Sequence, residues 1–177
     1  MQGDALLLNA KQTLRERLRR RYRTVTLCEL SDAVRDLAVY QEAKTVALYY
    51  AQGFEVSVND LLKDTDKCLL LPRCEATGMV FCRYDGRLAP DRFRIPAPIT
   101  RPWQGEIDLM LVPALAFDKQ GGRLGRGGGY YDRALANYNG PTVGLIRQAF
   151  LLDSVPCQDH DRKVGQIVTE KGVYTFL

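Results

Sequence analysis

Apolar residues recur at helical spacing near the start of the chain and then give way to short, nearly continuous runs. Leu7, Lys11, Leu14 and Leu18 fall at intervals of four, three and four, which predicts a helix over residues 4–22 with Asp4 as a candidate N-cap. A second helix is predicted over 29–43, around Val34, Leu37 and Ala38. Then the period changes. Residues 45–50, 68–71, 79–84, 107–112 and 142–146 are apolar runs bounded by turn residues, the pattern of strands buried on both faces. Helical stretches at 57–62 and 130–138 lie between several of them, which implies crossover units and a largely parallel sheet. The predicted fold class is therefore α/β. Residues 85–103, interrupted by Pro90, Pro96, Pro98 and Pro102, are expected to form an extended flap, and 166–177 one or two short strands.

The stretch 121–133, G-G-R-L-G-R-G-G-G-Y-Y-D-R, separates the apolar run 107–113 from the helical pattern that begins at Tyr130. Its glycines, among them Gly125, Gly127, Gly128 and Gly129, remove the side chains that keep a polyanion away from the backbone and let successive N–H groups converge. The following helix offers its positive end, Arg123 and Arg126 supply cationic donors, and Asp132 places a carboxylate where a phosphate-bound magnesium ion can sit. The alternative is a flexible surface loop, as glycine-rich segments usually are; the arginines, the paired Tyr130 and Tyr131 and the aspartate argue for the anion site. A P-loop is excluded, because Gly129 is followed by tyrosines and not by lysine with Ser or Thr. A dinucleotide fingerprint fits poorly, because residues 117–122 intervene after the strand and the loop lies late in the chain.

At 177 residues the chain suffices for one domain with a sizeable core, so residues 1–177 are expected to form a single domain. A net charge of +4 suits anionic ligands without demanding nucleic acid. The N-terminus has no apolar run long enough for a signal segment or a membrane span, which makes the cytosol the expected compartment. Five cysteines, Cys28, Cys68, Cys74, Cys82 and Cys157, form no CxxC pair and read as reduced thiols; with a single histidine, His160, a zinc site is not expected.

Lys11 occupies the apolar stripe of the first helix, with Arg15 one turn later. Either the pair reaches an anion docked where the helix meets the glycine loop, or Lys11 snorkels from the core margin, the reading that spacing alone favours. If Lys11 reaches the anion, Lys11→Met should keep or raise stability. Glu55 follows the strand run 45–50, where ligands collect in open parallel sheets, yet it also suits a helix-leading charge ahead of 57–62. His160, between Asp159 and Asp161, fits a metal corner or a polar turn after Pro156, and the residue types favour the turn.

These motifs together resemble a known family. The run V-P-A-L-A-F-D-K-Q-G-G-R-L-G-R-G-G-G-Y-Y-D-R-A-L over residues 112–135 closely resembles the signature of the 5-formyltetrahydrofolate cyclo-ligases, also called methenyltetrahydrofolate synthetases. K-Q-T-L-R at 11–15, Y-Y-A-Q-G-F-E-V at 49–56, L-P-R at 71–73, I-P-A-P at 95–98 and H-D at 160–161 agree with it, in family order. The resemblance implies a three-layer α/β/α fold and ATP- and magnesium-dependent closure of 5-formyltetrahydrofolate to 5,10-methenyltetrahydrofolate, with release of ADP and phosphate. It implies ATP contacts from Lys11, Arg15, Arg123, Gly125, Arg126, Gly127, Gly128, Gly129, Tyr130 and Tyr131. Tyr50, Glu55 and Phe93, with Arg126 and Tyr130, match substrate positions; Asp132 and Asp161 match magnesium carboxylates; Arg126, Tyr130 and Asp132 stand nearest the chemistry.

Three departures from the pattern bear on the folate side: Val58 where many relatives have threonine, Ala97 where Glu or Gln usually stands, and Phe150 where glutamine is frequent. Arginines of the flap, Arg87, Arg92 and Arg94, are available to a polyglutamate tail, whose preference stays open. The expected partners are small molecules, with neither nucleic acid nor membrane, and the expected state is a monomer. Two other readings compete. One is an RNA-binding protein using the arginine-rich first helix, against which the basic residues converge with acidic ones on a loop instead of spreading over a face. The other is a sugar-phosphate isomerase or a CoA transferase on a related fold, for which no nucleophile motif is present.

Overall fold

Strands buried on both faces must alternate between two apolar layers, and that alternation organises this chain. The computed structural model describes residues 2–22, 24, 26–157 and 161–176. Its central sheet contains β1 (Thr45–Ala47), β2 (Cys68–Glu75), β3 (Gly78–Arg83), β6 (Leu109–Pro113), β9 (Thr142–Leu145), β11 (Gln166–Thr169) and β12 (Gly172–Thr175), ordered β12-β11-β9-β6-β1-β2-β3. The five inner strands run parallel, and antiparallel β3 and β12 close the edges.

Ala47, Leu70, Met110, Val112, Ile146 and Ile167 pack on one face against Leu18 and Tyr22 of helix α1 (Gln2–Tyr22) and against Phe117 and Phe150. Their neighbours Val46, Leu69, Leu109, Leu111, Val143 and Val168 face the other way, against α2 (Ser31–Arg35) and α3 (Ala38–Glu42). The result is the expected three-layer α/β/α arrangement with a largely parallel sheet. From β1 the chain moves one way to β2 and β3, then returns to lay β6 on the other side of β1. The carboxyl ends of β1 and β6 therefore flank a topological switch point, where open sheets leave a crevice.

Several local expectations change. Helix α1 begins before Asp4, which lies inside the helix and does not cap it. The predicted helix 29–43 is two short helices, because Leu37 adopts an extended conformation (ψ 131°) between them, bringing both itself and Tyr40 into the core. Residues 57–62 give a 3-10 turn, Asn59–Lys63, in which the three-residue spacing of buried Val58 and Leu61 suits three residues per turn. The flap contains a hairpin of β4 (Leu88–Pro90) and β5 (Pro96–Pro98), a two-stranded ribbon in which prolines are tolerated. A small sheet of β10 (Leu151–Leu152), β7 (Ala116–Asp118) and β8 (Arg123–Leu124) stands before the glycine loop and leads into α4 (Tyr130–Ala136).

Phe117 of β7 is fully buried over Gly144, where a Cβ atom would lie 2.5 Å from the ring. Gly144→Ala is therefore expected to lower stability by about 1–3 kcal/mol through overpacking. Urea unfolding of the two proteins measures the loss, and equal midpoints would mean that the ring can yield.

Candidate active site

A cleft of about 530 Å³ opens at the carboxyl ends of β1 and β6, with Tyr49, Tyr50, Pro113 and Ala114 at its base. The glycine loop supplies one wall through Gly125, Arg126, Gly127, Gly128, Gly129, Tyr130, Tyr131 and Asp132. The opposite wall is apolar and comes from the far end of β2, from β3 and from the flap: Pro72, Met79, Phe93 and Ile95. Phe93 and Tyr130 meet edge to face across the mouth, their ring centres 5.8 Å apart.

The loop has the form of an anion cradle. Gly127 (φ 107°) and Gly129 (φ 68°) hold left-handed conformations that a side chain would strain. Among the described residues, no backbone N–H from Gly125 to Gly129 has a hydrogen-bond partner, so these donors are open to a ligand. Helix α4 has only seven residues, and its end adds less than the sequence suggests. The cradle is made by loop amides and arginines. Arg123 is buried, ion-paired with Asp132 at the cleft wall, and its Nε has no partner. The Tyr131 hydroxyl is likewise buried without a partner, and burial raises its pKa well above the ordinary tyrosine value, so it stays a proton donor.

Glu55 stands on the same cleft, nearly buried, with Oε1 2.7 Å from Arg126 Nη2 and Oε2 accepting the Gln52 N–H at 2.8 Å. Burial pushes its carboxyl above the ordinary value of 4.5, while Arg126 and the Gln52 amide pull the other way. The Arg126 guanidinium also lies 4.9 Å over the Phe54 ring. One arginine of the glycine loop thus faces a nearly buried carboxylate that belongs to the loop after β1.

Arg15 approaches the loop from beneath, and neither it nor Lys11 lines the cleft. Arg15 Nε donates to the Gly125 carbonyl at 2.9 Å, and Arg19 to that of Arg126 at 3.2 Å. Lys11 neither snorkels nor points into the cleft; it is buried with Nζ 2.7 Å from Asp161 Oδ2. The two metal candidates are thus held by different cations, Asp132 by Arg123 and Asp161 by Lys11, although the charges of both act on Arg15. No group of three or more His, Cys, Asp or Glu that could hold a metal exists among the described residues. A magnesium ion needs no such cage, since one or two carboxylates complete a shell of water and phosphate oxygens, and the half-exposed Asp132 fits that role. His160 and Asp159 lie outside the described residues.

The three departures prove to be core positions. Val58, Ala97 and Phe150 are essentially inaccessible, and none lines the cleft. Phe150 stacks on Tyr22 at 3.7 Å, where a glutamine amide would have to be buried. Of the flap arginines, Arg87 pairs with Asp85 and Arg92 donates to the Glu75 carbonyl. Sequence reasoning missed Gln52, Cys74, Met79 and Asp91 as cleft residues. Only the resemblance had pointed to this wall, through Phe93 and through Pro72 and Ile95 of the L-P-R and I-P-A-P motifs.

An open, mostly parallel sheet with a glycine-loop cradle and a nearly buried carboxylate at its switch point has the layout of an α/β enzyme with a ligand cleft at the carboxyl ends of its strands. The comparisons narrow the class. Residues 8–170 match the model of the 5-formyltetrahydrofolate cyclo-ligase family. A 5-formyltetrahydrofolate cyclo-ligase from Mycolicibacterium smegmatis is 35% identical over 144 residues, covering 72% of this chain and 74% of that one. The protein of the same name from Escherichia coli K12 is 29% identical over 149 residues, 76% of this chain and 82% of the relative. The solved structure of Aquifex aeolicus 5,10-methenyltetrahydrofolate synthetase aligns with a TM-score of 0.80 at 30% identity, over 93% of this chain and 92% of that one. The chain is an enzyme of the 5-formyltetrahydrofolate cyclo-ligase family.

Two outcomes follow from the ion pairs. Lys11→Met removes the ammonium from a largely buried carboxylate, so it is expected to destabilise the fold by up to about 3 kcal/mol, where a Lys11 reaching an anion was expected to leave stability unchanged or raised. A melting curve decides, since an unchanged midpoint would return Lys11 to the surface. Glu55 has a raised pKa in the folded state, so its contribution to stability is full below pH 4.5 and is lost as pH rises through the folded value. Glu55→Gln should therefore melt above the parent at neutral pH, with the gap closing towards pH 4. A gap independent of pH would show that the carboxylate is not held at a cost.

Proposed function

We infer that the protein catalyses the ATP- and magnesium-dependent cyclisation of 5-formyltetrahydrofolate to 5,10-methenyltetrahydrofolate, releasing ADP and phosphate. The observation that carries this reading is the Arg126–Glu55 pair, which sets the phosphate cradle and a buried hydrogen-bond acceptor side by side in one cleft. A formamide carbonyl is a poor electrophile. In the proposed reaction its oxygen attacks the terminal phosphorus of ATP and the bond to ADP breaks; the neighbouring folate N–H then closes on the activated carbon, and the oxygen departs with phosphate, which carries away the nitrogen's proton. No protein nucleophile is required, so the enzyme acts by positioning and charge neutralisation.

Loop amides from Gly125 to Gly129, with Arg123 and Arg126, would take the phosphates, and Arg15 holds the loop from beneath. Glu55 would accept hydrogen bonds from the pterin amino and ring N–H groups, with Tyr50, Phe93 and Tyr130 around the ring. Asp132 would hold the magnesium ion, whose chemistry is to neutralise phosphate charge, and Asp161 would join it only by exchanging Lys11 for the ion. The same reading takes the protein as a single-domain, cytosolic monomer without nucleic-acid or membrane partners. Among the described residues no helix is long and apolar enough to cross a membrane.

The test is absorbance in the methenyl product band, with ATP, magnesium and 5-formyltetrahydrofolate each omitted in turn. Turnover is expected only with all three present. Full-rate product formation without nucleotide would remove the ligase mechanism.

A further inference from the structure

The apolar wall of the cleft depends on a segment that the sheet alone does not hold. Strand β2 has eight residues, but β1 pairs with only its first three, Cys68 to Leu70. Beyond them the edge of β2 lacks a strand neighbour on that side. Of the two later positions facing this edge, Pro72 has no N–H, and Cys74 donates its own to Asp91 Oδ2 at 3.1 Å. The other oxygen of Asp91 turns back on the flap, where Oδ1 accepts the N–H of Phe93 at 2.8 Å and that of Ile95 at 3.0 Å. One carboxylate thus closes the turn 91–95 and ties it to the sheet edge.

The turn is strained in a way that needs such a clamp. Arg94 adopts φ 61°, the only left-handed non-glycine residue among those described. Its N–H bonds the Asp91 carbonyl at 2.9 Å, and the Asp91 N–H bonds the Ile95 carbonyl at 2.9 Å. At the tip stands Phe93, half exposed and edge-on to Tyr130 of the glycine loop. The stem of the flap is anchored separately, by Arg73 donating to the Pro98 and Thr100 carbonyls at 2.8 and 2.6 Å. Asp91 therefore governs the tip and not the flap as a whole. The nearby charge leaves a mark on Cys74, whose thiol is pushed up to about 11 by burial first and then by the Asp91 carboxylate.

We propose that Asp91 is a positioning residue: by tying the flap turn to β2 it holds Phe93 against Tyr130 and sets the width of the cleft for a flat ring system. The proposal rests on the folate reading of the cleft. It assigns Asp91 no contact with ATP and no part in phosphate transfer. All the hydrogen bonds of its carboxylate named above go to backbone N–H groups of the protein, which separates it from a residue that binds the substrate directly.

The test uses a graded pair of variants with a rescue. Asp91→Asn keeps an acceptor for Phe93 and Ile95 but cannot accept from Cys74, whereas Asp91→Ala loses all three bonds. The KM for 5-formyltetrahydrofolate is expected to rise about tenfold in Asp91→Asn and further in Asp91→Ala. The KM for ATP should stay at the parent value, and trypsin should cleave the free enzyme faster after Arg92 and Arg94. Adding Arg94→Gly to Asp91→Ala removes the left-handed strain, so it should bring the folate KM partway back. An unchanged folate KM in both Asp91 variants overturns the proposal. So does an equal rise in the KM for ATP, or a loss that Arg94→Gly leaves untouched, since that would mark a direct contact. If the parent enzyme shows no cyclo-ligase turnover, the functional reading fails instead, and the trypsin comparison still tests the tie itself.

Discussion

A loop built largely of glycine cannot hold its own place, because it has few side chains to pack. Its position here is imposed from outside, by arginines that donate to its carbonyl groups. Arg15 and Arg19 of α1 hold Gly125 and Arg126 from below, and Arg133 reaches back to the Gly128 carbonyl. Helix α1 is fixed in turn by Leu18 and Tyr22, both buried; Tyr22 stacks between Phe54 and Phe150 and donates to the Leu115 carbonyl at 2.9 Å. Carbonyls face the helix, amides are left for the cleft. That division gives a mobile sequence a defined cradle without filling it.

The same architecture leaves charges in waiting. Lys11 with Asp161, Arg123 with Asp132 and Arg126 with Glu55 are cation–carboxylate pairs whose members all belong to, or adjoin, the candidate ligand sites. In the free protein each charge is compensated, which keeps the arginines oriented at modest cost. On the proposed function, a polyanion entering the cradle would exchange partners and would not meet bare charges, so its binding would be a competition among ion pairs.

Much of this was legible in the sequence, and what was not has physical causes. Four of the five inner strands, and the faces of their residues, follow from apolar runs that a doubly covered parallel sheet can bury; the fifth run, 79–84, instead forms the half-buried antiparallel edge strand β3, and the inner strand β11 comes from the stretch 166–177 that showed no such run. The form of the glycine loop, with open amides and arginines around it, was legible from its composition. By contrast, the break at Leu37 carries no proline or glycine, and the helical spacing continues on both sides of it. Two-residue strands such as β8 and β10 are defined by their partners and have no pattern of their own. Lys11 was noticed as an anomaly, but its partner lies 150 residues away, beyond the reach of any local rule. The cleft wall of Cys74, Met79 and Asp91 was missed for the same reason: a strand edge, a hairpin and a proline-rich turn converge there only after folding.

The distance between Lys11 and Asp161 along the chain also bears on how the protein comes into being. At ordinary rates of synthesis, the ribosome needs on the order of ten seconds to add the residues between them. Throughout that interval the apolar stripe of α1 has emerged, while Leu115, Gly125 and Phe150, its counterparts in the fold, appear only later. The N-terminal helix must wait as a solvated, arginine-rich segment, and its charge keeps the unfinished chain soluble. The cradle can therefore take its place only after synthesis has passed Phe150, whose ring packs on Tyr22 and so fixes the helix beneath the loop.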